Sequence, residues 1–326
     1  MKEKINKLGK LINASKKILL INHIRMDMDA FGSLASMYDI LNELGKEVKA
    51  INDELPLKNF SFIGYNDIIE PDLNLKEFNP DLIISLDAGS IDRLGISYKN
   101  NKDIFDKTDF VVIDHHITNQ GFGDLNIINK TSSSTCEIIF EILTQLNLEK
   151  YITPKTATAL LSGIYTDTNI FYNSNTTSST YLVAAKLLEY GADFRKPYYE
   201  LYKKKTLSQS KLWGEILVNN MKVSENGKLI WAMIPKTVFK KVGANDRDLE
   251  GLISEFFTNI EGVEICFISY EIEGKIIKTS FRSTKKYDVS MIAGKFGGGG
   301  HKQASGFVST KPLLEVEKEI LDKIIF

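Results

Sequence analysis

Saturated apolar blocks alternate with helical periodicity through the first half of the chain. Residues 17–22 (KILLIN) are an almost uninterrupted apolar run with the length of one buried strand. They lead through a turn into a helical pattern over 30–44, closed by Gly45, and then into a second strand over 47–52. LIISL at 82–86 and FVVI at 110–113 are two more β-branched-rich runs, and 126–128 adds a shorter one. Strands separated by helical stretches predict βαβ units and a mostly parallel sheet. Helices are predicted over 134–146, over 154–165 and over 177–190. In the second, Thr153 can cap and Pro154 suits the first turn; the third stops at Gly191.

The pattern then changes. Residues 192–212 are polar and aromatic and read as a connecting helix with loops. Two hairpin signals follow: 215–224 and 228–234 flank Glu-Asn-Gly, and 263–271 and 275–283 flank Ile-Glu-Gly. A helical segment over 246–257 lies between them, and another is predicted over 288–295. The expected fold class is α/β: a parallel-sheet domain over 1–191, a linker over 192–213, and a smaller α+β domain over 214–326. A length of 326 residues agrees with about two domains.

Composition narrows the partners. Apolar residues make up 43% and charged residues 25%, ordinary for a globular protein able to bury a core without staples. The formal net charge of -1 supplies no global basic field, so long duplex nucleic acid is not an expected partner. Any phosphate site must be local. Cys136 and Cys266 lie far apart in apolar contexts and read as buried thiols, which suits a reducing cytoplasm. The N-terminal stretch lacks the apolar run of a signal peptide, and no segment approaches the roughly 20 apolar residues of a membrane span. A cytoplasmic protein with no membrane partner is expected.

The chemistry concentrates in a few motifs. All four histidines fall beside carboxylates or glycines: His23 in NHIRMDMDA, His115 and His116 in VVIDHHIT, His301 in GGGGHKQASG. Asp87 ends LIISLD and Asp167 sits in GIYTDTN. In an open parallel sheet the ligand crevice lies at the C-terminal strand ends. His23 with Asp27 and Asp29, then Asp87, then Asp114-His115-His116 all follow strands, so they converge on one edge. Asp167 follows a helix that can reach it. Each motif also has a bland reading. An Asp pair before a helix often only caps it, and a lone Asp at a strand end often only makes a turn. Asp-His-His after a buried strand is costly without partners. Together they predict two divalent cations sharing a carboxylate. Mixed imidazole and carboxylate ligands favour Mn, Zn, Fe or Co over a pure Mg site. Such a pair can activate water and clamp the oxygens of a phosphoryl displacement.

Residues 296–306 (FGGGGHKQASG) carry four consecutive glycines whose backbone N–H groups can meet an anion, with His301 and Lys302 adding donors. A flexible hinge is the alternative reading. Arg282, in TSFRST and read as following a strand, can fork onto a terminal phosphate.

HIRMDMDAFGS, LDAG, DHH and GIYTDT, in this order, resemble the four motifs of the DHH phosphoesterase superfamily, and GGGGHKQASGF resembles the end of the associated DHHA1 domain. The layout is similar to the stand-alone nanoRNases and pAp phosphatases, the bifunctional oligoribonuclease subgroup. The resemblance implies a DHH domain and a DHHA1 domain with the active site in the cleft between them. It implies that His23 and Asp27 hold one metal, that Asp29, His115 and Asp167 hold the other, and that Asp87 bridges both. His116 would meet the scissile phosphate and Asp114 would orient the histidines. Arg282, His301 and the backbone of Gly298, Gly299 and Gly300 would grip the far phosphate or end nucleotide. Implied too are two Mn2+ ions, with Mg2+ or Co2+ as alternatives, and a homodimer. The implied substrates are RNA or DNA oligonucleotides of about 2–5 nucleotides and pAp. A cyclic-di-AMP or pApA phosphodiesterase is the nearest alternative; a non-catalytic nucleotide-binding module lies further off. One departure stands out. Family members commonly carry proline directly before the first aspartate of motif I, where this chain has Met26 after Arg25. Neither is a ligand, so the departure bears on the turn and on substrate preference.

Overall fold

The structure, a computed structural model, describes residues 1–272, 276–284 and 286–324. It divides into two compact units, Met1–Lys204 and Lys205–Phe326, a boundary that falls inside the stretch read as a linker.

The first unit is built on five parallel strands: β1 (Lys17–Asn22), β2 (Glu47–Ile51), β3 (Leu82–Leu86), β4 (Asp109–Asp114) and β5 (Leu125–Ile128). Their spatial order is β2-β1-β3-β4-β5. Both sheet faces are covered, which is why β1, β3 and β4 read as continuous apolar runs rather than alternating ones. Leu20, Ile84 and Val111 pack under the helices α1 (Lys2–Ala14), α2 (Met28–Glu43), α3 (Thr135–Gln145) and α4 (Pro154–Thr168). Leu19, Ile83 and Val112 face the opposite way, against Leu75, Phe78, Leu94 and Phe105 from short helical turns. A fifth helix, α5 (Ser178–Glu189), starts at Thr177 and ends before Gly191, whose φ of 85° suits a residue without a side chain. Helix α1 was not anticipated. Its buried Ile5, Leu8 and Ile12 recur at helical spacing, but the surrounding lysines and asparagines dilute the signal.

The second unit carries six strands in the order β10-β11-β9-β8-β7-β6: β6 (Met221–Val223), β7 (Leu229–Ile234), β8 (Ile265–Glu271), β9 (Ile277–Ser283), β10 (Gly299–His301) and β11 (Ala304–Ser309). The pair β7 and β8 is parallel and the others are antiparallel, so the sheet is mixed. Three expectations are corrected here. The first arm of the first hairpin is mostly helical: α6 (Leu207–Glu215) runs into a π-helical turn over Ile216–Asn220, and only β6 pairs with β7. The run Ile-Leu-Val there looks like a strand, yet it buries Leu212, Trp213 and Ile216 on one helical face and leaves Val218 79% exposed. The expected single helix over 246–257 is broken into short turns, because Gly251 takes φ 88° in its middle. Arg282 lies inside β9, not after it. The Ile-Glu-Gly turn of the second hairpin falls, at Glu273 and Gly274 with the adjoining Lys275, outside the described residues. Helices α7 (Lys236–Val242), α8 (Val289–Gly294) and α9 (Leu313–Leu321) complete the unit. Both cysteines are buried and free. No helix among the described residues is long and apolar enough to cross a membrane.

Candidate metal centre

The strand order reverses its progression between β1 and β3, which makes their C-terminal ends the switch point where a ligand crevice opens. Asn22 pairs in register with Leu86, and Leu86 with Ile113. The next residues in each strand are His23, Asp87 and Asp114, so three motif residues form one row across three neighbouring strand ends. Asp87 leaves β3 with φ 59°, a left-handed backbone that a non-glycine residue adopts at a cost of roughly 1–3 kcal/mol. Its N–H still donates to the Ile113 carbonyl at 3.0 Å, which fixes the turn.

Two ligand groups result, each with its donor atoms within 4.8 Å of one another. One comprises His23, Asp27 and Asp87; the other comprises Asp29, His115 and Asp167. His23 Nε2 lies 3.6 Å from Asp27 Oδ2 and 3.6 Å from Asp87 Oδ2. His115 Nε2 lies 3.1 Å from Asp167 Oδ2, 3.6 Å from Asp87 Oδ1 and 3.9 Å from Asp29 Oδ2. Asp87 therefore turns one oxygen toward each group. A third combination, Asp87 with His115 and His116, is also within reach. There, however, His116 Nδ1 is taken by Asp114 Oδ1 at 2.7 Å and stands 3.7 Å from Asp87.

The electrostatics match a site built for cations. Burial drives the Asp87 carboxyl well above the ordinary carboxylate range, and the neighbouring Asp29 charge adds to it. Burial and Asp29 likewise push Asp167 up to about 7. Burial opposes a charge on the His23 ring, yet Asp27 and Asp87 raise it to about 10. His115 shows the same contest, with Asp167, Asp29 and Asp87 raising it to about 10 against burial. Four carboxylates crowd around two inward imidazole nitrogens, and without positive charge they repel one another. Two divalent cations would balance those four charges with a donor set of the right chemistry.

The candidate ligands are positioned from several elements. Asp27 caps α2, its Oδ1 accepting from the N–H groups of Asp29 (3.1 Å) and Ala30 (3.0 Å), while its Oδ2 faces His23. One side chain thus caps the helix with one oxygen and leaves the other turned to His23, free for the ligand role expected of it. Asp29, fully buried, accepts from Thr135 N at 2.7 Å and Cys136 N at 2.9 Å at the start of α3. Gly163 makes room for it: a Cβ there would stand 2.7 Å from Asp29 Oδ1 and 2.4 Å from Cys136 Sγ. His23 Nδ1 lies 2.8 Å from the Ile24 carbonyl and 2.9 Å from Arg93 Nη2. These contacts belong to opposite tautomers. The Ile24 one leaves Nε2 with a free lone pair and is the one compatible with a ligand.

Several of these helpers escaped the sequence reading: Arg93, Asn119, Thr135, and the pair Asn22 and Asn52. Asn119 donates to Asp114 Oδ2 at 2.6 Å and to the Ala88 carbonyl at 3.0 Å, extending the His116–Asp114 contact into a buried chain. Asn52 donates to Asn22 Oδ1 at 2.7 Å and to the His23 carbonyl at 2.9 Å. A signal existed for that pair, since each asparagine closes an apolar strand on the functional edge.

In the second unit, β10, β11 and β9 bring two of the remaining expected residues, His301 and Arg282, into one cross-strand row. His301 pairs with Ala304, and Ala304 with Arg282. Residues directly opposite share a face, so His301 and Arg282 flank a small alanine at about 10 Å, two strand spacings. Lys278, Ser280, Arg282, Gly299, Ala304 and Gly306 line a cavity of about 420 Å³ on this face. The four glycines are not a free loop. Gly299 and Gly300 belong to β10, and a Cβ on Gly298 would stand 2.2 Å from the Gly306 carbonyl oxygen.

The chain matches the DHH family N-terminal domain over residues 17–164 and the DHHA1 domain over residues 226–325. It is 30% identical to the bifunctional oligoribonuclease and PAP phosphatase NrnA of Thermus thermophilus, over 93% of this chain and 88% of that protein. It is 28% identical to the cyclic-di-AMP phosphodiesterase PdeA of Listeria monocytogenes, over 97% of this chain and 48% of that protein. Among solved structures, an exopolyphosphatase-related protein from Bacteroides fragilis shares the fold with a TM-score of 0.84 at 24% identity, covering 99% of this chain and 96% of that one.

Proposed function

The chain belongs to the DHH phosphoesterase family with a DHHA1 second domain, and from that membership we propose a metal-dependent hydrolase of very short oligonucleotides and pAp. The observation that carries the reading is the shared Asp87, one oxygen toward each of two imidazole–carboxylate groups. His23, Asp27 and Asp87 would hold one divalent ion, and Asp29, His115, Asp167 and Asp87 the second, with manganese the ion we assign. When bound, such a pair supplies Lewis acidity to a water nucleophile and to the phosphoryl oxygens.

The chain's own residues would do the rest. Asp114 accepts from His116 Nδ1, and that contact raises the His116 pKa despite partial burial. A protonated His116, 42% exposed, can present Nε2–H to a non-bridging phosphoryl oxygen and offset charge that grows in the transition state. Burial alone would raise Asp114, but His116 and Asn119 hold it low, so it stays an anion beside the ring. We assign to Arg282, His301 and the β10 backbone the grip on the phosphate or nucleoside remote from the scissile bond. Products would be mononucleotides from oligonucleotides and AMP from pAp.

The similarity to a cyclic-di-AMP phosphodiesterase supports a second reading with the same chemistry on a cyclic or pApA substrate. Initial rates with manganese on pApA, a ribo-trinucleotide, pAp, cyclic-di-AMP and a long RNA separate the two. Fast mononucleotide release from the short linear substrates, with cyclic-di-AMP nearly inert, is the expected result. Faster turnover of cyclic-di-AMP would overturn the oligonucleotide assignment in favour of the second reading.

A further inference from the structure

We propose that Thr135 is a positioning residue that serves one of the two metal sites selectively. The inference rests on the two-metal reading above. Thr135 is fully buried at the first position of α3, and it reaches two ligands from two different elements. Its backbone N–H donates to Asp29 Oδ2 at 2.7 Å, and its Oγ1 donates to Asp87 Oδ1 at 2.9 Å.

Both acceptor oxygens belong to the same side of the cluster. Asp87 Oδ1 is the oxygen that faces His115 at 3.6 Å, and Asp29 Oδ2 is the one that faces His115 at 3.9 Å. Asp87 Oδ2, turned toward His23, receives no bond from Thr135. The bridging carboxylate is thus steered through the half that completes the Asp29–His115–Asp167 group. A carboxylate oxygen has two lone-pair directions; a hydroxyl on one orients the other.

The test is divalent-ion titration of metal-free protein by calorimetry, with Mn2+ as the probe, repeated with Co2+ for its visible spectrum. Thr135→Val keeps the shape and the backbone N–H and removes only the hydroxyl. The expected result is one binding equivalent unchanged and the other weakened about 10–100-fold, the range for loss of an outer partner of a ligand. Thr135→Ser restores both equivalents. Should the valine protein fail to fold, Thr135→Ala carries the same expectation. Equal weakening of both equivalents, or weakening of neither, overturns the assignment. A wild-type protein that binds fewer than two ions overturns the two-metal reading itself, and this assignment with it.

Discussion

In the first domain Asp29 and Asp87, read as ligands, and Asp114 beside them are buried, and each is held by a named partner. Asp29 rests on two backbone amides, Asp114 on His116 and Asn119, and Asp87 on Thr135. In the second domain Gly299, Gly300 and His301 are exposed on a short edge strand, above a floor of small residues. In the proposed function the first region would act through side chains whose charges are unfavourable until a cation arrives. The second would act through backbone: the edge of a short strand, with Arg282 and Lys278 beside it. Side-chain chemistry of the first kind tolerates almost no substitution. A backbone platform tolerates change wherever the fold does not need the glycine.

That contrast can be broken most forcefully at Asp87. Asp87→Asn should drop hydrolysis of pApA on the order of 10³-fold or more, because both ligand groups lose their shared charge. The metal-free variant should melt no lower than wild type, since the lost carboxylate was held at an unfavourable charge by burial and by Asp29. Rates and a thermal melt measure both; a variant that keeps full activity would sink the metal mechanism. Arg282→Ala, in the second region, should leave kcat within a few-fold and raise KM for a 5′-phosphorylated dinucleotide about 10- to 100-fold. An unchanged KM would remove Arg282 from the substrate grip.

The glycines sharpen the comparison at finer scale. Gly300 takes φ 136° with a Cβ position 2.5 Å from the Ala304 carbonyl oxygen, and Gly298 is equally crowded. Alanine at either should destabilise the second domain by roughly 1–3 kcal/mol in denaturant melts. Gly299 has an ordinary φ and open space where a Cβ would go. Gly299→Ala should therefore fall within about 0.5 kcal/mol of wild type. If it nonetheless binds short nucleotides more weakly, the glycine is there for the ligand; a stability loss equal to Gly300→Ala would refute this division.

A pH dependence should be confined to the first region. His23 and His115 are raised to about 10, so their stabilising contribution is complete below the ordinary 6.5 and is lost as pH rises through about 10. Asp167, raised to about 7, loses its contribution in the same direction between its ordinary 3.8 and that value. Metal-free protein should melt lower at pH 9.5 than at pH 6.5, and saturating manganese should remove the difference. A melting temperature that climbs with pH in the metal-free protein would contradict the cluster as described.

How much of this was legible in the sequence follows the same divide. The parallel sheet could be read because β1, β3 and β4 are saturated with apolar residues, and the ligands because His and Asp stand directly after them. Thr135 and Asn119 could not be read, since they act by contacts 48 and 5 residues away along the chain and neither is chemically conspicuous. In the second domain the glycine run was visible, but β10 was not: its pairing with β11 depends on a tight turn over Lys302 and Gln303, and glycine-rich sequence carries no strand signal. The helical turn over Ile216–Asn220 misled because local β-branched propensity was outweighed by the burial of Leu212, Trp213 and Ile216.

Asp27 divides its two oxygens, one closing the first turn of α2 and the other facing His23. Asparagine or serine would cap that helix nearly as well. A population of variants screened only for folding would therefore drift freely at this position, and on the proposed two-metal reading its members would look sound while having lost their chemistry. Architecture alone places no brake on that drift; only selection for turnover does.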